Sequence, residues 1–377
     1  MEQAPYPGLK VVELARILAG PWAGQILADL GADVLKIESP AGDDTRRWGP
    51  PFVEYADGER DAAYFHSANR GKRSLVLDFA QPDECRKAQE LAAGADVVIE
   101  NFKTGGLVRF NLDYESLSKR NPGLIYCSIT GFGQDGPYAD RAGYDFVVQG
   151  MSGIMDLTGQ PDGEPNKIGV AYADIMTGLY ATIAIQAALA SRAVTGKGQH
   201  IDIALFDVMV GTLANQAMNY LVSGTPPMRI GNAHPNISPY EVFRTADGWA
   251  IIAVGNDRQF KALCSTLGLD VTSDYATNPQ RVANRDPLHA LLEQRTSTWA
   301  RDALLSQLQV AGVPVAPINT VADAFADPQI RHRGLQLDLT AEDGTPIPSV
   351  GFPVRFSDLK IGAAMPSPRL GDAASDC

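Results

Sequence analysis

Through the first 130 residues, short apolar runs alternate with segments whose apolar residues recur every three or four positions. Leu9–Leu14 reads as a strand, Gly20 opens a turn, Trp22–Leu30 reads as a helix, and Gly31–Glu38 is the next strand. Ser74–Asp78, Asp96–Glu100 and Leu124–Thr130 read as further strands, with helical patterns over Pro82–Ala93 and Tyr114–Lys119. Strands alternating with helices predict an α/β fold with a largely parallel sheet. From Ile175 to Val194 the only charge is Arg192, which predicts a helix apolar almost all round and therefore buried. Its mainly apolar part, 175–191, is 17 residues long and contains Gln186 and two Thr, so it reads as a core helix rather than a membrane span.

The long helix stops at Gly196-Lys-Gly-Gln. A strand over His200–Leu205 and a second apolar helix over Phe206–Val222 follow, and Ser223-Gly-Thr-Pro-Pro is a linker signal. The pattern then changes. Tyr240–Arg244 and Trp249–Val254 flank Thr-Ala-Asp-Gly, a hairpin turn, and helical stretches follow at Arg258–Leu267, Pro287–Gln294 and Thr298–Ala311. The chain thus divides into 1–205, a helix and linker at 206–224, a smaller α+β domain at 225–325, and a tail at 326–377 of short strands and Pro-rich loops.

A hydrophobic fraction of 45% is ample for a core, and the net charge of −12 disfavours nucleic acid and anionic membranes as partners. Cys85, Cys127, Cys264 and Cys377 show no framework spacing, which fits reduced thiols and a cytoplasmic protein. The N-terminus lacks the n- and h-regions of a secretory signal. The five His residues have no ligand spacing, so no metal is expected.

Four features could carry chemistry. Gly131-Phe-Gly-Gln-Asp-Gly136 follows a strand, yet Pro137 and a loop pattern follow it, so a tight turn is a better reading than a nicotinamide site. Arg70, Lys72 and Arg73 precede a strand, and Lys103 and Arg109 follow Asn101; these cations suit a phosphate-rich ligand or a solvated surface equally. Trp48 reads as a loop anchor or a pocket wall. Asp174 heads the long helix. Its carboxylate is either an N-cap or a partly desolvated nucleophile, and one geometry serves both.

The chain resembles the class III CoA-transferase family. The resemblance is carried by Leu18-Ala-Gly-Pro, Leu30-Gly-Ala-Asp-Val-Leu-Lys-Ile-Glu, Asn69-Arg-Gly-Lys-Arg-Ser and Glu100-Asn-Phe, then by Gly131-Phe-Gly-Gln-Asp-Gly-Pro-Tyr, Ala173-Asp-Ile-Met-Thr-Gly, Thr195-Gly-Lys-Gly-Gln and Ala311-Gly-Val-Pro. It implies a Rossmann-like large domain built from both chain ends, an inserted small domain, and an interlocked homodimer. It also implies Asp174 as nucleophile, with CoA thioesters as substrates and no permanently bound cofactor. Ala19, Leu77, Asn101, Phe102, Lys103 and Arg109 fall on the family's CoA contacts, and Trp48 and Tyr144 on its pocket aromatics. Ser39 and Ala142 stand where relatives carry an arginine and a lysine for CoA. Leu18 replaces a substrate glutamine, and Gly231-Asn-Ala-His-Pro-Asn-Ile replaces a tetraglycine lid, which makes the formyl-CoA:oxalate branch a poor match. The carnitine branch remains an alternative. The racemase branch needs a histidine where this chain has Tyr144, and a phenol with a pKa near ~10 is a poor base. The segment around His234 and Tyr240 resembles members that move CoA between succinate and other dicarboxylates, with Arg46, Arg73, His234 and Asn236 as candidates for the acceptor's distal carboxylate. The chain ends at Leu370-Gly-Asp-Ala-Ala-Ser-Asp-Cys, where the family commonly continues into a helix; its loss is expected either to weaken dimer packing or to open one face of the large domain.

Overall fold

Six of the apolar runs pair into one sheet. In the computed structural model, which describes residues 4–375, the strands lie in the order Arg73–Val76, Asp33–Glu38, Lys10–Glu13, Val97–Glu100, Ile125–Thr130, Gln199–Ala204, and every pairing is parallel. Counted along the chain this is 3-2-1-4-5-6, the doubly wound order, which reverses direction between Lys10–Glu13 and Val97–Glu100. Side chains alternate across the sheet, so each strand feeds two cores. Val11, Val97 and Ile99 pack on one face with the helices Ala19–Asp29 and Tyr172–Thr195. Val12, Val98 and Tyr126 pack on the other with Pro82–Ala93 and Tyr114–Arg120.

The chain forms two compact units. Residues up to Ile154, Lys167–Met218 and the chain from Pro328 onward make the larger one, so both chain ends build it. Arg70 donates to Val350 O and Arg46 donates to Pro368 O, which ties the returning tail to the N-terminal half. Met155–Asn166 and Asn219–Asp327 make the smaller unit. There Tyr240–Arg244, Trp249–Ala253 and Val315–Pro317 form an antiparallel sheet, packed with three helices around Phe243, Ile252, Phe260, Leu292 and Leu304. Cys85, Cys127 and Cys264 are free and buried; Cys377 lies outside the described residues.

Two expectations are corrected. The helix foreseen over Phe206–Val222 is two helices, Leu205–Gly211 and Ala214–Ser223, separated where Ala214 takes a left-handed φ of 48°. The Tyr172–Thr195 helix is not buried all round. It is long and apolar enough to cross a membrane, but its small-residue side, including Ala173, Thr177, Gly178, Ala181 and Ala188, is packed. A Cβ at Gly178 would lie 2.7 Å from Ala19 O and 2.9 Å from Trp22 Cβ, so glycine permits this close approach of two helices. Its other side leaves Tyr180, Ile183 and Val194 exposed, Ile183 by 60%.

Candidate active site

A ligand cavity in an open α/β sheet is expected outside the carboxyl ends of the strands, where the strand order reverses. A cavity of about 570 Å³ opens there. Arg16–Ala19 line it from the end of the first strand, Asn101–Gly106 from the fourth and Ile129–Gly131 from the fifth, with Ala139, Arg141–Asp145, Asp174 and Leu205 completing it. Lys103, Arg109 and Arg141 are exposed along the lining, giving a basic rim to a chain whose net charge is −12. The Arg109 guanidinium sits 4.5 Å from the Phe110 ring centroid, and that of Arg141 sits 4.4 Å from Tyr138. Arg141 therefore brings a cation next to Ala142, the position where the resemblance implied a lost lysine.

Asp174 is the third residue of its helix and does not cap it. The N-cap residue, Ala171, makes no side-chain cap bond. The capping acceptor comes from another element: Asp145, first residue of the helix Asp145–Met151, accepts from Ala173 N through Oδ1 at 2.8 Å. Buried Gln149 locks that carboxylate, donating from Nε2 to Asp145 Oδ2 at 2.8 Å while its Oε1 accepts from Ile168 N at 2.9 Å. The Asp174 carboxylate accepts no hydrogen bond from any described residue and is only partly exposed. Burial, followed by the like charge of Asp145, pushes its pKa up to about 7. Burial, followed by the charges of Asp174, Asp145 and Asp43, pushes the Tyr64 hydroxyl up to about 12.

Seven of the candidate nucleophile, CoA and pocket residues line this cavity: Ala19, Asn101, Phe102, Lys103, Arg109, Tyr144 and Asp174. Asn101 is already engaged. Its Oδ1 accepts from Arg16 N at 2.9 Å and its Nδ2 donates to Arg16 O at 2.7 Å, so its amide holds a cavity wall.

Others lie elsewhere. Leu77 is buried in the core beside Leu75 and Leu35, outside the lining. Trp48 is half exposed and leans edge-on against Tyr64, ring centroids 5.4 Å apart. Arg46 cannot serve as a cation for substrate: it is buried, paired with Glu38 at 2.8 Å and Asp61 at 2.7 Å, and lies over the Phe65 ring. Arg73 pairs with Asp33 and starts its strand, at the amino edge of the sheet, away from the carboxyl ends that carry the cavity. Arg70 and Lys72 are likewise structural, buried against Asp29 and Glu13. His234 and Asn236 belong to the smaller unit, where His234 Nδ1 accepts from Asn236 N at 3.0 Å. No helix opens at Gly131–Gly136, and a Cβ on Gly131 would lie 2.4 Å from Gly143 Cα; the glycines let two lining loops touch. Sequence reasoning missed Arg141, Asp145 and Gln149. Arg141 left a local signal as a charge beside the altered position, and Asp145 left one as the aspartate following Tyr144.

The model of CoA-transferase family III matches residues 6–373. The chain is 58% identical to succinate–glutarate CoA-transferase of Agrobacterium fabrum, over 98% of this chain and 93% of that protein. It is 42% identical to human succinyl-CoA:glutarate CoA-transferase, over 97% and 84% respectively. A crystal structure of a CAIB/BAIF family protein from Brucella suis superposes with a TM-score of 0.90 at 61% identity, covering 99% of this chain and 98% of that one. With a family match along nearly its whole length and the fold in agreement, this chain belongs to CoA-transferase family III and is an enzyme of that family.

Proposed function

We propose that the protein moves CoA from succinyl-CoA to a small dicarboxylic acid, glutarate foremost, with Asp174 carrying acyl and CoA groups in turn. The observation that carries this reading is the Asp174 carboxylate itself, which lacks a hydrogen-bond partner among the described residues and lies in the cavity with the basic rim. A capping aspartate would bond a first-turn N–H; here Asp145 does that work, which leaves the Asp174 lone pairs available for attack.

Asp174 Oδ attacks the donor thioester carbonyl. The C–S bond breaks, giving an acyl-aspartyl anhydride and CoA thiolate. The thiolate then attacks the aspartyl carbonyl and releases the donor acid, leaving an aspartyl-CoA thioester. The acceptor carboxylate attacks that thioester, forming a second anhydride and thiolate, and the thiolate takes the new acyl group. Each step exchanges one activated acyl for another. Lys103, Arg109 and Arg141 suit the CoA phosphates through charge-assisted hydrogen bonds. The identities to glutarate-using relatives support the choice of substrates.

The active form in this reading is a homodimer. The exposed apolar side of the Tyr172–Thr195 helix, with Phe146, Val147 and Met151 also exposed nearby in the chain, supports burial against a second copy. Incubation with succinyl-CoA and a panel of carboxylates tests the function. Glutaryl-CoA and related dicarboxyl-CoA masses are expected; a panel in which no acid accepts CoA would overturn the reading.

A further inference from the structure

The segment joining the strand Lys10–Glu13 to the helix Ala19–Asp29 is held by side chains at four successive backbone groups. Lys36 Nζ donates to Ala15 O at 2.7 Å. Asn101 takes both Arg16 N and Arg16 O. Ile17 N donates to Asp43, 3.2 Å from Oδ1 and 3.1 Å from Oδ2. Ile17 has φ +71°, the left-handed region, where a β-branched residue is an outlier that persists only when its surroundings impose it. Asp43 is buried and is the node of this arrangement. It also accepts from Thr45 N at 3.0 Å and Thr45 Oγ1 at 2.8 Å, and it pairs with Lys36 Nζ at 3.0 Å. Lys36 in turn pairs with Glu13, all three side chains being buried.

What this clamp fixes is a wall of the active-site cavity. Arg16, Ile17, Leu18 and Ala19 line it together with Asp174, and Ala19 touches the Asp174 helix one turn along, at Gly178. We propose that Asp43 is a positioning residue for CoA transfer: by holding the Ile17 backbone in its left-handed conformation, it sets the Leu18–Ala19 wall against which the thioester meets Asp174. The proposal rests on Asp174 as nucleophile. Misplacement of a reacting group by a fraction of its contact distance costs orders of magnitude in rate, so loss of the clamp should act on kcat.

A double-mutant cycle between Asp43→Ala and Ile17→Gly tests it, because glycine takes positive φ without imposed strain and needs no carboxylate to hold it there. With Ile17 intact, Asp43→Ala should lower kcat more than tenfold per folded molecule, and in the Ile17→Gly background that loss should shrink by tenfold or more. A merely structural role would lower melting temperature and leave kcat per folded molecule in place. A loss below tenfold, or one unchanged by Ile17→Gly, overturns the proposal. Should Asp43→Ala fail to fold, Asp43→Asn and Asp43→Leu are compared, since only the amide oxygen still accepts from Ile17 N: a kcat per folded molecule at least tenfold higher in Asp43→Asn supports the clamp, and equal values overturn it. Borohydride trapping separates the two readings. Absence of label on wild-type Asp174 removes the nucleophile; normal labelling of Asp174 with no coupling between positions 17 and 43 removes only the clamp.

Discussion

Asp145 takes the capping bond at the start of the Asp174 helix, and the Asp174 carboxylate accepts none from the described residues. Asp145 accepts the first-turn N–H, and its charge, after burial, raises the pKa of Asp174 to about 7. The proposed nucleophile is the ionised form. The rate of the half-reaction with acyl-CoA should therefore fall below about pH 7 and level off above it, as read from a pH profile of kcat/KM. Asp145→Asn keeps an oxygen for Ala173 N but removes the like charge, so the acid limb should move to lower pH; a limb that stays in place would detach the pKa from Asp145. Stability has the opposite sign. A carboxyl with a raised folded-state pKa favours the fold while protonated, and that contribution is lost as pH rises from the ordinary carboxylate range through about 7. Asp174→Asn, neutral throughout, should abolish transfer by about 10³-fold or more and be more stable than wild type at about pH 8 by about 1–2 kcal/mol, the two proteins converging near about pH 4 in denaturant titrations. Asp174 stood out in the sequence as a lone carboxylate at the head of an apolar run. The residues alone left cap and nucleophile open, because the carboxylate that bonds Ala173 N, Asp145, lies 28 residues upstream of Ala173. The misreading of Arg46 has the same origin: Glu38 and Asp61, which neutralise it, are 8 and 15 residues away and meet it only in the fold.

At the scale of elements, the parallel strands were legible as short, mainly apolar runs between helical patterns, and the bounds of Pro82–Ala93 were legible because Pro82 and Gly94 punctuate it. Breaks and edges were not legible. The break at Thr212 and Leu213 is marked only by Gly211, inside an apolar pattern that runs on past it, and the three-residue strand Val315–Pro317 is too short for alternation to register. The strand order, and with it the position of the cavity, came only with the structure, since crossover connections carry no local mark. Gly178 makes the coupling between two helices testable. Gly178→Ala places a methyl 2.7 Å from Ala19 O and should cost about 1–3 kcal/mol in urea unfolding, with reduced activity as the Ala19 wall shifts. Full stability with full activity would mean that the two helices part without consequence.

For the whole molecule, the long helix defines one surface to test. Its sequence predicts burial all round; what the sequence could not say is that one side, with Tyr180 and Ile183, stays exposed among the described residues. Light scattering should give a dimer for the wild type and a smaller species for Ile183→Glu, which sets a charge in the middle of that side; an unchanged mass would place the interface elsewhere. Covalent trapping tests the role of Asp174 most directly. The enzyme is incubated with succinyl-CoA and no acceptor, reduced with borohydride, digested and read by mass spectrometry. The expected result is conversion of Asp174 alone to the reduced residue, in the peptide containing Ala173-Asp174-Ile175. Label on another residue, or CoA transfer proceeding with Asp174 unmodified, would contradict it.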